Sequence, residues 1–321
     1  MSGIGIVQKH LYAFLAEGGH ELVFSKPRDV GGAPYERVMG LMRGFRPAVG
    51  SVDVYLSVVP PLPYGVDAPL LTLVHDLRWL RTRSKIGTAY RAWDLRRTVR
   101  TSDSLICISE NTRTNLVEFV PTASKKATVQ WLGAGLIPDR SFEESDSGLV
   151  MLVGGAPHKC NELAAEALSR ARPAWVQGII GVGVSERVRD TLSNVFPCEW
   201  PRKVSESDMI ALYRRAQFFM MLGTDEGFGL PFVEALAAGC QVIATDHSLT
   251  REVVGSAGTL LLPGDADAVA RQLQFRPSVP VAERVGHVQN FSWRLFGEAC
   301  EAALIKILHE SGSPTARNKA N

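Results

Sequence analysis

Short runs of Val, Ile and Leu alternate along the chain with longer stretches whose apolar residues recur every three or four positions. This is the pattern of buried strands separated by amphipathic helices. In the first half it predicts a helix carrying Leu11, Phe14 and Leu15 that closes at Gly18-Gly19, and strands over 20–24, 52–59, 70–74 and 104–108. A helix over 86–99 lies between the last two, with Ile86, Tyr90, Trp93 and Arg97 on one side. In the second half it predicts strands over 149–153, 175–181, 218–222, 241–244 and 259–262, and helices over 161–170, 184–192, 207–216 and 231–238. Such alternation argues for α/β architecture, with parallel sheets covered by helices on both faces. The polar stretch 138–147 marks the best boundary. The reading is therefore a first domain over 1–140, a second over 141–300, and a C-terminal helix and polar tail over 301–321. Two doubly wound sheets in series predict a cleft lined by loops from the carboxyl ends of their strands.

Composition narrows the class. The 321 residues are 45% hydrophobic and 21% charged, a balance that buries a substantial core and excludes a disordered chain. Five widely spaced cysteines form no CxxC pair, so neither a disulfide framework nor a zinc site is expected, and a reducing cytosol fits. No HExxH or similar spacing predicts a bound metal. No apolar run reaches the roughly 18 residues of a membrane span, and glycines stand where a leader would be apolar. The expectation is a cytoplasmic protein, at most peripheral at the inner face of a membrane.

The net charge of +2 hides an asymmetry: residues 1–140 hold 18 Lys+Arg against 12 Asp+Glu, the remainder 17 against 21. Between Arg78 and Arg100 eight basic residues accompany one acid, Asp94, with Trp79, Tyr90 and Trp93 among them. That mixture suits an anionic membrane surface, or an ordinary solvated helix face with its tryptophans inward. No nucleic-acid motif accompanies it.

The segment Gly223-Thr-Asp-Glu-Gly-Phe-Gly-Leu-Pro-Phe-Val-Glu234 is the most informative. A buried strand ends at Leu222, a glycine-bearing turn follows, and Pro231 favours a helix start. The N–H groups of Gly229 and Leu230 should then be offered to a phosphate. Glu226 on the loop and Glu234 on the helix can reach one ligand from two directions. A carboxylate accepts two adjacent sugar hydroxyls at once. The alternative for Glu234 is a solvated acid favoured by the helix dipole. Gly154-Gly155-Ala-Pro-His-Lys159 follows another strand and ends in a cation placed to neutralise a phosphate. It lacks Walker A spacing. His75 and Asp76 end a strand of the first half, where His75 could bond a sugar hydroxyl, relay a proton or cap the strand end.

These residues resemble the GT-B-fold retaining glycosyltransferases of family 4 (glycosyl transferases group 1), specifically mannosyltransferase-like members. Glu226-Gly-Phe-Gly-Leu-Pro-Phe-Val-Glu234 is similar to that family's E-G-F-G-L-P-x-x-E motif. Asp208-Met-Ile-Ala-Leu-Tyr-Arg-Arg-Ala216 precedes it, and Ala238-Gly-Cys-Gln-Val-Ile-Ala244 and Arg251-Glu-Val-Val-Gly-Ser-Ala-Gly258 follow, in the family's order. Gly3-Ile-Gly5, His75-Asp76, Ser109-Glu-Asn-Thr-Arg113 and Phe291-Ser-Trp293 resemble further family elements. The resemblance implies two Rossmann-like domains facing across a cleft, and hexosyl transfer from a nucleotide sugar without a metal. GDP-mannose is favoured as donor and a UDP-sugar is the alternative. The acceptor would be a saccharide or lipid-linked saccharide, as in surface polysaccharide assembly.

It also implies roles. Glu234 would hold the donor ribose, Glu226 the transferred sugar, and Lys159 the diphosphate with help from Gly229 and Leu230. A glycine loop at Gly3 and Gly5 would approach the diphosphate, and His75 would lie beside the sugar. Three departures are visible. The G-I-G element begins at residue 3, where family members have a strand before it, so the sheet lacks a strand or the recorded start falls late. Gly155 stands where many members carry arginine, and Cys160 replaces an asparagine after the lysine. A sugar-nucleotide epimerase of the same fold and a non-catalytic nucleotide-sugar binder are the rival readings. A dinucleotide oxidoreductase lacks its strand-linked GxGxxG.

Overall fold

The computed structural model describes residues 3–24, 52–58, 68–78, 85–135, 137, 142 and 144–311. Trp79, Leu80, Arg81, Arg83, most of the 138–143 stretch and the tail beyond 311 lie outside them. The chain divides into two compact units, Met1–Trp131 with Trp293–Asn321, and Leu132–Ser292. The sequence reading put the divisions at 140 and 300.

The first unit contains a parallel four-stranded sheet in the order β1 (Tyr55–Ser57), β2 (Leu70–Val74), β3 (Ser104–Cys107) and β4 (Ala127–Val129). Helix α1 spans Gly3–Glu17 and buries Ile6, Val7, Leu11 and Leu15. The helix begins at Gly3 itself, so Gly3 and Gly5 lie in a helical turn. The expected glycine loop is corrected: the apolar spacing that starts at Ile6 carries the helix back through both glycines. The strand expected over 20–24 does not form either. None of the sheet's strands pairs with it, and Val23 and Phe24 are exposed. His20 instead bonds Glu301 at 2.6 Å, and Phe24 packs edge-on against Tyr12.

Helix α2 (Lys85–Thr101) precedes β3, and α3 (Glu110–Phe119) follows it, capped by the Ser109 hydroxyl on the Thr112 N–H. On α2 the inward face is Leu95, Thr98 and Val99. Arg97 is buried too, 3.5 Å from Asp94, whose carboxyl pKa is raised by burial against the pull of Arg97. Trp93 is 45% exposed, so the single face expected for Trp93 and Arg97 is split, because Arg97 turns in to its acid partner. The side chains of Ile86 and Tyr90 lie outside the described residues.

The second unit holds a six-stranded parallel sheet: β5 (Leu149–Val153), β6 (Gly178–Val182), β7 (Cys198–Glu199), β8 (Phe218–Met221), β9 (Gln241–Thr245) and β10 (Gly258–Leu261). Their spatial order is β10-β9-β8-β5-β6-β7. Counted within the unit this is the 3-2-1-4-5-6 order of a doubly wound sheet, and the direction of winding reverses between β5 and β8. All four β8 residues and all of β9 are buried, which is why both read as continuous apolar runs. Helices α4 (Asn161–Ala171), α5 (Glu186–Ser193), α6 (Glu206–Arg215), α7 (Leu230–Ala237), α8 (Ser248–Val253), α9 (Ala266–Gln272) and α10 (Val281–Val288) complete the unit. Ser205 and Asp208 form a reciprocal capping box at the start of α6.

The last helix, α11 (Trp293–Glu310), groups with the first unit, packing on α1, β2 and β3. Its Trp293 ring stacks on His10 with centroids 4.4 Å apart. Among the described residues no helix is long and apolar enough to cross a membrane.

Candidate active site

In an open α/β sheet, the loops after two adjacent strands diverge where the winding reverses and leave a crevice there. In the second unit those are the loops after β5 and β8. The first carries Lys159 and the second carries Glu226, and they meet: Lys159 Nζ lies 3.3 Å from Glu226 Oε1. His158 Nε2 lies 3.3 Å from the same oxygen. Both residues come from one 3-10 turn, Pro157–Lys159. Sequence reasoning passed over His158, although it adjoins the lysine. Lys159 and Glu226 are only about one-sixth exposed, a setting in which a fixed charge acts more strongly than in bulk water.

The loop after β5 is held by its neighbours. Gly154 N–H donates to Val182 O at 2.8 Å. A Cβ at Gly155 would lie 2.7 Å from Gly183 O, so the backbones of the two loops approach closely there. Cys160 takes a left-handed conformation at the N-cap of α4 and makes no side-chain cap. The neighbouring Asn161 turns its amide back onto Val153 O and Gly154 O. Asn161 thus pins the end of β5.

Helix α7 follows the loop after β8. Gly229 caps it with φ +79, a left-handed conformation that glycine adopts without strain, and Pro231 stands in the first turn. The cap residue offers no side chain to the helix's first N–H groups. Every residue of α7 but Pro231 is buried, Glu234 among them at 5% exposure. The alternative of a solvated first-turn acid is thereby corrected. Tyr213 of α6, itself fully buried, donates its hydroxyl to Glu234 Oε2 at 2.9 Å.

In the first unit, His75 follows β2 and its Nε2 is 2.9 Å from Val58 O. A carbonyl can only accept, so Nε2 carries the proton and Nδ1 keeps its lone pair. Burial holds the His75 pKa below its ordinary 6.5, against the Val58 bond and Asp76, which pull it up. Asp76 pairs with Arg78 at 3.2 Å. A histidine that binds fewer protons folded than unfolded adds stability above pH 6.5 and loses it as pH falls. The first unit is therefore expected to melt at lower temperature at pH 5.5 than at pH 7.5, and His75→Gln to flatten that difference. An unchanged pH dependence in the variant would contradict this.

Among the described residues, no group of three or more His, Cys, Asp or Glu could hold a metal ion. The sheet order, the glycine-capped helix and the carboxylate–lysine contact together describe a doubly wound unit with charged side chains gathered where its winding reverses. Residues 154–275, which lie in the second unit, match the family described as Glycosyl transferases group 1. The O-antigen chain mannosyltransferase B of Escherichia coli is 32% identical over 97 residues, 28% of this chain and 25% of that protein. The chain thus matches about a quarter of the length of that curated relative. Among solved structures, the pneumococcal O-GlcNAc transferase GtfA, in complex with UDP and GlcNAc, superposes with a TM-score of 0.58 at 16% identity, covering 75% of this chain and 53% of that one. A glycosyltransferase from Rickettsia africae superposes with the same score at 15% identity over 96% of this chain and 82% of its own. The fold is α/β with parallel sheets, GT-B-like.

Proposed function

We propose that the chain is a glycosyltransferase that moves a sugar from a nucleotide-sugar donor to a saccharide or lipid-linked saccharide. The observation that carries this reading is the contact of Lys159 with Glu226 where the winding of a 3-2-1-4-5-6 sheet reverses, beside an uncapped helix start. In this reading Lys159 and the N–H groups of Gly229 and Leu230 hold the diphosphate. Glu234 accepts the ribose hydroxyls and Glu226 those of the transferred sugar. When the bond from the sugar's anomeric carbon to phosphate oxygen breaks, negative charge grows on the diphosphate. Fixed donors aimed at that oxygen lower the barrier. The acceptor hydroxyl bonds to the anomeric carbon on the face the diphosphate leaves, its proton passing to the departing phosphate oxygen, so the anomeric configuration is retained.

Mannose from GDP-mannose is the donor we favour, supported by the mannosyltransferase relative; the UDP complex of GtfA keeps a UDP-sugar as the alternative. For His75 the proposed role is a neutral one, with Nδ1 accepting from a sugar hydroxyl. Arg91, Trp93, Arg96 and Arg100 are exposed on α2, which supports peripheral contact with anionic lipid. Equal sedimentation with anionic and neutral liposomes would remove that part.

The test is release of nucleoside diphosphate from GDP-mannose and UDP-sugars, with and without saccharide acceptors. Release that rises on adding an acceptor is expected. Epimerisation of the donor sugar without any acceptor would overturn the transferase reading in favour of an epimerase.

A further inference from the structure

A carboxylate that recognises two adjacent hydroxyls must present both oxygens at a fixed angle, yet a glutamate has three rotatable bonds before its carboxyl group. Glu234 meets that requirement through two neighbours. Tyr213 Oη donates to Oε2 at 2.9 Å. On the other side, Gly135, at φ +57, lies so close that a Cβ there would stand 2.1 Å from Oε1 and 2.5 Å from Cγ. The tyrosine itself has no freedom. It is completely buried, its ring packs against Phe219 with centroids 5.8 Å apart, and its own carbonyl accepts from the Cys240 thiol. Burial and the facing carboxylate push the Tyr213 pKa well above 10, so its hydroxyl keeps the proton it donates.

We propose that Tyr213 and Gly135 are positioning residues that clamp Glu234 in the orientation needed to read the ribose hydroxyls of the donor. The inference rests on the reading of Glu234 as the ribose carboxylate. A hydrogen bond to a charged group buried from water is among the stronger ones, and Tyr213 supplies it from α6. Gly135 contributes by what it lacks: any side chain would occupy the space of Oε1.

The experiment compares binding of GDP and UDP with their 2′,3′-dideoxy counterparts, by calorimetry, for the wild type, Tyr213→Phe and Gly135→Ala. The wild type is expected to favour the ribonucleotide by about tenfold or more. Tyr213→Phe should cut that preference to roughly threefold or less while contacts to the diphosphate persist. Gly135→Ala should do the same from the opposite side, and serves if Tyr213→Phe does not fold. In a Glu234→Gln background Tyr213→Phe should change the preference no further. Full discrimination retained by both folded variants would overturn the clamp alone. Equal binding of ribo and dideoxy forms by the wild type, or no binding of either nucleotide, would overturn the ribose reading of Glu234 and the clamp with it.

Discussion

Replacing Arg284 by alanine is expected to destabilise the second unit by roughly 3–5 kcal/mol, the range for truncating a large buried side chain to alanine. The side chain is wholly buried at 0% exposure on α10. Its Nε donates to Val279 O at 3.1 Å and its Nη1 to Gly239 O at 2.6 Å, while the guanidinium pairs with Glu144 and lies 4.8 Å from the Phe142 ring centroid. Alanine would strip Gly239 O of its donor, at about 1–3 kcal/mol where it stays dry, take one of two donors from Val279 O, which keeps Gln241 Nε2 at 3.2 Å, and leave a void besides. Glu144 is half exposed and can turn to water, so the lost carbonyl bonds dominate over the lost ion pair. Gly239 follows α7, the helix that carries Glu234, so the same change loosens the scaffold of the site. Urea unfolding followed by the fluorescence of Trp175 and Trp200 reads it out. A loss below about 1 kcal/mol would contradict the role given to Arg284.

The second large effect is expected at Lys159. If it neutralises the diphosphate, Lys159→Ala removes a charge-assisted contact of about 1.5–3 kcal/mol, which is a 10- to 150-fold loss of nucleoside diphosphate affinity. The fold should be little affected, because Glu226 keeps His158 at 3.3 Å and both lysine and glutamate have some access to solvent. The loss should be smaller for the nucleoside monophosphate and absent for the nucleoside, since the lysine would touch neither base nor ribose. A uniform loss across the three ligands would place Lys159 in the scaffold instead.

Much of the second unit was legible from sequence because its signals are local. Strand β5 was predicted over its full length, and β8, β9 and α7 to within a residue or two, since buried parallel strands read as unbroken apolar runs and Pro231 marks a helix start. The contact of Lys159 with Glu226 spans 67 residues, and the Gly-rich spacing identified both partners without giving their distance. Tyr213 and Gly135 were illegible as site residues. Tyr213 lies in a helix whose apolar spacing already explained it as core, and Gly135 matters only because a residue 99 positions later, Glu234, packs against it. The first unit misled for a related reason. Gly3 and Gly5 suggest a loop by composition, and segment 20–24 suggests a strand by apolar content. A strand exists only where another offers its hydrogen bonds, and none of the described ones does so here. The short strands β4 and β7 carry too few apolar residues to stand out.

The central claim is that the second unit binds a nucleoside diphosphate through Lys159 and Glu234. Calorimetric titration of the purified chain with GDP, UDP, ADP and dTDP, beside Glu234→Ala, tests it most directly. The account predicts that one nucleotide, GDP first, binds best and that the variant weakens it by tenfold or more, on the order of one strong hydrogen bond to a charged group. A folded protein that binds none of the four, or a Glu234→Ala variant that binds as tightly as the wild type, would contradict it.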